Sequence, residues 1–168
     1  GANPLLPKIE RTWTHPLSPY AASKLAGEGY MLGYQASYGM PTLVLRFFNV
    51  FGPWQRPDHD YAAVVPKWLW KAMTGQAIEV HGDGTQTRDF TYVDSVVAVL
   101  VDALERRLSL DSPVNLAFGK RVSLLEVLTR MESLLGVSPE VRFADPRVGD
   151  VRNSGNDPTL LRSVFPSV

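Results

Sequence analysis

Tyr20 and Lys24 stand four residues apart in the stretch Ser18-Pro19-Tyr20-Ala21-Ala22-Ser23-Lys24. On a helix that spacing brings a phenol and an ammonium to one face. A phenol, with a reference pKa of about 10, is a poor base at neutral pH, but a neighbouring cation favours its phenolate. Such a pair is suited to take the proton of a substrate hydroxyl. Alone, the spacing is unspecific, because a tyrosine and a lysine so placed occur on many surface helices. Asn49 is a second candidate, at the carboxyl end of an apolar run, where open α/β sheets bind ligands. The alternative for Asn49 is a turn residue bonding its own backbone.

The elements that must position these residues can be read from local signals. Ser18 has the hydroxyl of an N-cap and Pro19 suits the first helical position, so a helix is expected from there to about Tyr38. Gly39 and Pro41 close it. Within it, Gly27-Glu28-Gly29-Tyr30-Met31-Leu32-Gly33 imitates a dinucleotide fingerprint. The spacing is one residue too long and no strand precedes it, so the small residues are read as a close-packing face. Residues 42–48, interrupted by Arg46, read as a buried parallel strand. Residues 61–74 read as a helix with Pro66 in its first turn and Gly75 at its end. Trp68 and Trp70 cannot share a face of that helix, so at least one should pack inside. Residues 78–81 form a strand before the turn Gly82-Asp83-Gly84, whose glycines serve backbone geometry. A helix capped by Asp94 is expected to bury Val96, Val97, Leu100, Ala103 and Leu104. Residues 114–117 read as a strand, Ser123 and Glu126 as a capping box for a helix ending at Gly136, and residues 141–143 as a last strand. The first 16 residues read as a loop anchored by Trp13, and the end of the chain as a polar tail.

Composition narrows the function classes. The chain has 168 residues, enough for one domain with a real core, and a formal net charge of zero. It has neither the basic stripe of a nucleic-acid binder nor a basic amphipathic helix for a membrane surface. There are no cysteines, so disulfides and thiolate metal sites are excluded, and His15, His59 and His81 lack ligand spacing. No apolar run is long enough to cross a bilayer and no secretory leader is seen, which makes the cytoplasm the default compartment.

Three stretches in order carry a resemblance: residues 18–24, then Leu43-Val44-Leu45-Arg46-Phe47-Phe48-Asn49-Val50-Phe51-Gly52-Pro53, then the run from Gly82 through Arg88-Asp89-Phe90 to Asp94. Together the chain resembles the extended short-chain dehydrogenase/reductase family, and within it the 4-epimerases of UDP-glucose and UDP-N-acetylglucosamine. The resemblance implies an α/β chain corresponding to the C-terminal part of an extended Rossmann-type fold. Its parts would be the Tyr/Lys helix, the remaining parallel strands and a small substrate-binding subdomain, without the N-terminal glycine-rich βαβ half. Residues 1–60 would be the remnant of the dinucleotide-binding domain. Residues 61–168 would be mainly substrate-binding, interleaved with late Rossmann elements.

The resemblance also implies roles. Tyr20 would be the base and Lys24 its assistant, both touching NAD, with Phe47 beside the nicotinamide. Asn49, Ala63, Val64, Glu79, His81, Arg88, Arg147 and Asp150 would hold the UDP-sugar, Arg88 and Arg147 through the planar fork that suits phosphate. Ordinary ion pairs are the alternative for both arginines. A dehydratase or a decarboxylase of the same family stays open, as does a non-catalytic binding or assembly module. The chain is expected to be truncated at both ends, to be inactive alone, and to form a homo-oligomer that covers the Tyr20 helix. No metal is expected.

Overall fold

The computed structural model describes residues 3–58, 62–146 and 151–168. Its elements run α1 (Pro19–Tyr38), β1 (Leu45–Phe47), β2 (Val50–Phe51), α2 (Val64–Met73), β3 (Ile78–His81), β4 (Thr87–Asp89), β5 (Thr91–Tyr92), α3 (Val93–Glu105), β6 (Val114–Leu116), β7 (Arg121–Ser123), α4 (Leu124–Leu135), β8 (Val141–Ala144) and α5 (Thr159–Val164). Parallel pairs join β1 to β6, β2 to β5 and β3 to β8, while β4 and β7 run antiparallel. Parallel partners need long crossovers, and the helices supply them, so the chain has the expected α/β class.

Local signals set several helix ends as expected. Ser18 Oγ accepts from the Ala21 amide at 3.1 Å, and Gly39 closes α1 with φ +65°. Ser123 and Glu126 form the reciprocal capping box of α4, and Gly136 is its C-cap. In the turn before β4, Gly84 has φ +75°, and an added Cβ would lie 2.7 Å from Leu125 Cδ2, so both backbone and packing require glycine there.

The core forms two clusters. One packs Trp68 and Ala72 of α2, Ile78 and Val80 of β3, and Leu124, Val127, Leu128 and Met131 of α4. The other packs Val96, Val99 and Ala103 of α3 against Val114 and Leu116 of β6, with Leu161 of α5 and Phe165 just beyond it. Ile78, Val80, Val99 and Leu116 are fully buried, each worth about 1.5–3 kcal/mol of apolar burial. Trp68 is buried while Trp70 stays partly exposed, as their spacing on α2 requires.

Other expectations need correction. The helix α3 has Tyr92 at its N-cap, with Asp94 inside the first turn, because the helix starts directly from β5. Its buried stripe is Val96, Val99 and Ala103, whereas Val97, Leu100 and Leu104 are exposed. Of the run 42–48 only Leu45–Phe47 is strand and it is half-exposed, whereas Thr42 and Val44 ahead of it are buried and Val114 N donates to the Val44 carbonyl. The helix expected from Tyr61 begins at Val64; Tyr61 lies outside the described residues. Trp13 is exposed, and its ring meets only the neighbouring His15 ring among the described aromatics, at 5.5 Å between centroids, rather than a core. The leading segment is tied by Asn3 Nδ2 donating to the Trp13 carbonyl and by Lys8 pairing with the strand-like stretch at Asn156. The tail is not merely polar, since Leu161 and Phe165 are buried.

The Tyr20 helix stands apart from both clusters. None of its residues is buried, and Tyr20, Tyr30, Tyr34 and Tyr38 are exposed. Ala21, Leu25 and Leu32 are half-buried on one face, and polar contacts on that face help to hold it. Gln35 Nε2 donates to Ser109 Oγ, Thr42 Oγ1 donates to Gln35 Oε1, and Arg46 of β1 grips Glu28. Among the described residues no helix is long and apolar enough to cross a membrane, and no cluster of three metal-ligating side chains occurs.

Candidate functional site

Three adjoining recesses lie along the carboxyl ends of β1, β3 and β4. The first, about 260 Å³, is lined by Asn49, Ala63, Val64, Glu79, His81 and Arg88, and by Lys67, Trp68, Lys71 and Gln86. It brings together every described residue expected to hold a nucleotide sugar. Arg147 and Asp150 lie outside the described residues. The second recess, about 620 Å³, is lined by Tyr20, Lys24, Glu28, Arg46 and Phe47. The third, about 340 Å³, shares Arg46 with the second and Asn49 and Arg88 with the first, so it bridges them.

In the second recess Lys24 Nζ lies 5.4 Å from the centroid of the Tyr20 ring, the one-turn neighbour that its spacing dictates. Tyr20 and Phe47 are both exposed, so phenol and ring face open space. One more turn along α1, Glu28 meets Arg46 in a fork: Nε donates to Oε2 at 2.8 Å and Nη2 to Oε1 at 2.5 Å. Arg46 Nη1 also donates to the Glu10 carbonyl at 3.1 Å. This pair fixes the rotation of α1 on β1, and with it the direction of Tyr20 and Lys24.

Polar contacts continue from there to the first recess. The Glu10 carboxylate accepts from the Asn115 amide at 2.9 Å, and Asn115 Nδ2 donates to Asn156 Oδ1 at 2.8 Å. The amides of Asn156 and Gly119 both donate to Asp89 Oδ2, at 3.1 and 3.0 Å. Asn49, at φ +32°, donates from Nδ2 to the Asp89 carbonyl at 3.1 Å while standing exposed between two recesses. It is thus both a backbone anchor and a cavity wall. Beside it, Arg88 Nη1 donates to the Thr87 carbonyl at 2.9 Å.

On the β3 wall, His81 Nδ1 donates to the Asp145 carbonyl at 3.2 Å. A Glu79 carboxylate oxygen is 2.9 Å from His81 Nε2, close in distance but not aligned as a hydrogen bond. Gln86, fully inside, donates from Nε2 to the His81 carbonyl at 2.5 Å. Sequence reasoning passed over Lys67, Lys71 and Gln86. The lysine signal was present, two cations one turn apart after Pro66, but on an isolated helix it matches any solvated face.

Asp89 is the buried carboxylate beneath this site. Burial holds its carboxyl above the usual carboxylate range, against backbone amides that favour the charged form. The folded state therefore binds this proton more tightly than the unfolded chain. Its contribution to stability is full below the unfolded pKa, about 4, and is lost as pH rises through the higher folded value. The unfolding free energy of the wild type, minus that of Asp89→Asn, should fall as pH rises from about 4 to about 7. Urea denaturation of both chains across that range measures it, and a difference that grows with pH contradicts the assignment.

Comparison with known proteins places these features in context. The family described as NAD dependent epimerase/dehydratase matches residues 1–117. A UDP-glucose 4-epimerase of Mycolicibacterium smegmatis is 35% identical over 98% of this chain and 52% of its own length. A structure of UDP-N-acetylglucosamine 4-epimerase from Methanobrevibacter ruminantium M1, in complex with UDP-N-acetylmuramic acid, superposes with TM-score 0.90 at 34% identity, covering 98% of this chain and 52% of that one. The NAD dependent NDP-hexosamine 5,6-dehydratase TunA, of tunicamycin biosynthesis, superposes with TM-score 0.84 at 34% identity, covering 95% of this chain and 51% of that one. The chain spans about half the length of the curated relatives it matches. For a dinucleotide, the described residues offer the Tyr20 hydroxyl, the Lys24 ammonium and the Phe47 ring at one end. Among them no helix follows a strand through a glycine-rich turn, the usual cradle for the pyrophosphate. They fit the nicotinamide end of NAD only.

Proposed function

The chain belongs to the NAD dependent epimerase/dehydratase family, and from that premise we propose that it is the substrate-holding part of a nucleotide-sugar 4-epimerase acting on a UDP-hexose. The observation that carries this reading is the bridge of recesses, with Tyr20 and Lys24 at one end and Asn49, Glu79, His81 and Arg88 at the other. A nucleotide sugar has that shape, a reactive hexose joined through a diphosphate to a base.

NAD, when bound, supplies the acceptor and then the donor of one hydride, so the reaction has no net redox change. Tyr20 Oη takes the proton of the sugar 4-hydroxyl and returns it after the 4-keto sugar has turned over. Lys24 sets a positive charge against the phenolate and binds the nicotinamide ribose, and Phe47 forms the wall beside it. Arg88, with Arg147, holds the diphosphate, and Asn49, Ala63 and Val64 line its path. The backbone of Glu79 and His81 runs along the base, and the resemblance assigns Asp150, outside the described residues, to the ribose or base.

The test is an assay of the full-length protein with NAD and UDP-glucose or UDP-N-acetylglucosamine, followed by NMR. Appearance of the 4-epimer supports the reading, and its absence overturns it. A dehydratase is the second reading, favoured by the similarity to TunA. It predicts loss of water from the sugar in the same spectra.

Assembly is a separate part of the proposal. The exposed tyrosines of α1 lie with Met31 and Gly27 on one side of the helix, a face suited to a second copy of this helix. Light scattering of the 168-residue chain should report an oligomer; a monodisperse monomer counts against it.

A further inference from the structure

Lys67 and Lys71 lie one turn apart on α2, a helix with no acidic residue, and both line the first recess together with Arg88. Both are half-buried. Neither has a carboxylate partner among the described residues, and the one described carboxylate in the cavity wall, Glu79, lies against His81. Two like charges at this spacing on a helix repel, and partial burial removes some of the water that would screen them. Between them Trp68 points into the core, so the helix cannot turn the lysines away without exposing it.

The β3 wall has a complementary shortage. Gln86 spends its amide nitrogen on the His81 carbonyl, which leaves Oε1 buried without a donor. An exchange of its oxygen and nitrogen would set two acceptors against each other, so the unfilled group is an acceptor. Among the described residues the cavity therefore presents two lysines without a carboxylate partner and a buried acceptor without a donor.

We propose that Lys67 and Lys71 are ligand-binding residues that hold the diphosphate of the nucleotide together with Arg88. The proposal rests on the nucleotide-sugar reading and deepens it by assigning diphosphate charge to α2. Bound phosphate oxygens neutralise the two ammoniums, and a base N–H reaches Gln86 Oε1. In the free protein the lysines are a standing repulsion. Their removal should therefore weaken the ligand without weakening the fold, a combination that structural cations do not produce.

Calorimetric titration with UDP of the wild-type chain, Lys67→Met, Lys71→Met and the double variant tests this, since methionine keeps the apolar stem and drops the charge. Each single change should weaken UDP binding about tenfold, the worth of one charge-assisted contact, and the salt dependence should become shallower. Thermal midpoints without ligand should stay or rise. Lys67→Arg and Lys71→Arg keep the charge and should keep the affinity. Equal UDP binding by wild type and double variant overturns the lysine assignment and leaves the nucleotide reading standing. Loss of affinity in the arginine variants assigns the effect to packing and overturns it as well. A wild-type chain that binds no UDP overturns both.

Discussion

Tyr20→Phe in the full-length protein should lower epimerase turnover about 10²–10⁴-fold, the range of a lost general acid–base group. The substitution removes one oxygen and leaves the ring beside Lys24. Tyr20 is 72% exposed, so stability should be unchanged. The first recess does not include Tyr20, and UDP affinity should stay the same. Steady-state kinetics paired with UDP titration separates these effects. Turnover that survives the substitution would remove Tyr20 from the chemistry, and loss of UDP binding would mean that the two recesses are not independent.

The second large effect concerns how Tyr20 is held. Arg46→Leu leaves Glu28 without its forked partner and breaks the tie to the Glu10 carbonyl. The pair is partly buried, with side-chain exposures of 24% and 14%. Its loss should cost about 2 kcal/mol, between the limits for surface and buried pairs. Because α1 buries no residue, that cost should fall on the local opening of α1 rather than on either core cluster. Native-state hydrogen exchange is the measurement. Protection should drop along α1 and persist in α4, whose Leu124, Val127, Leu128 and Met131 are buried. An equal loss in both helices would contradict a local role. Glu28→Gln combined with Arg46→Met should recover part of the loss, since no unpaired charge remains.

How much of this the sequence discloses depends on how local each feature is. The caps at Ser18, Gly39, Ser123 and Gly136 are legible because each is a contact within a few residues. The phase of α3 is not. Val96, Val97, Val99, Leu100, Ala103 and Leu104 make the helix apolar on more than one face, and only packing on β6 and Phe165 decides which face is inside. Phe165 itself is buried by a fold-back of the tail that no nearby residue announces.

The same division holds at the site. The motif runs single out Asn49 and Arg88, and both line the first recess, but the tie of Asn49 to Asp89, and of Asp89 to Asn156, joins chain segments far apart. The lysines of α2 become conspicuous only in a cavity where the one described carboxylate, Glu79, lies against His81. The exposure of the Tyr20 helix, by contrast, follows from the resemblance, in which a glycine-rich βαβ half outside this sequence packs against it.

The most direct test of the account is calorimetric titration of the 168-residue chain with UDP, with Arg88→Ala and a parallel titration of NAD beside it. UDP should bind, and its affinity should weaken at least about tenfold in Arg88→Ala, the loss of one charge-assisted contact. NAD should show no comparable affinity, because the described residues fit one end of it. Absence of UDP binding, or equal binding by the chain and Arg88→Ala, would contradict the claim that this cavity is a nucleotide-sugar site.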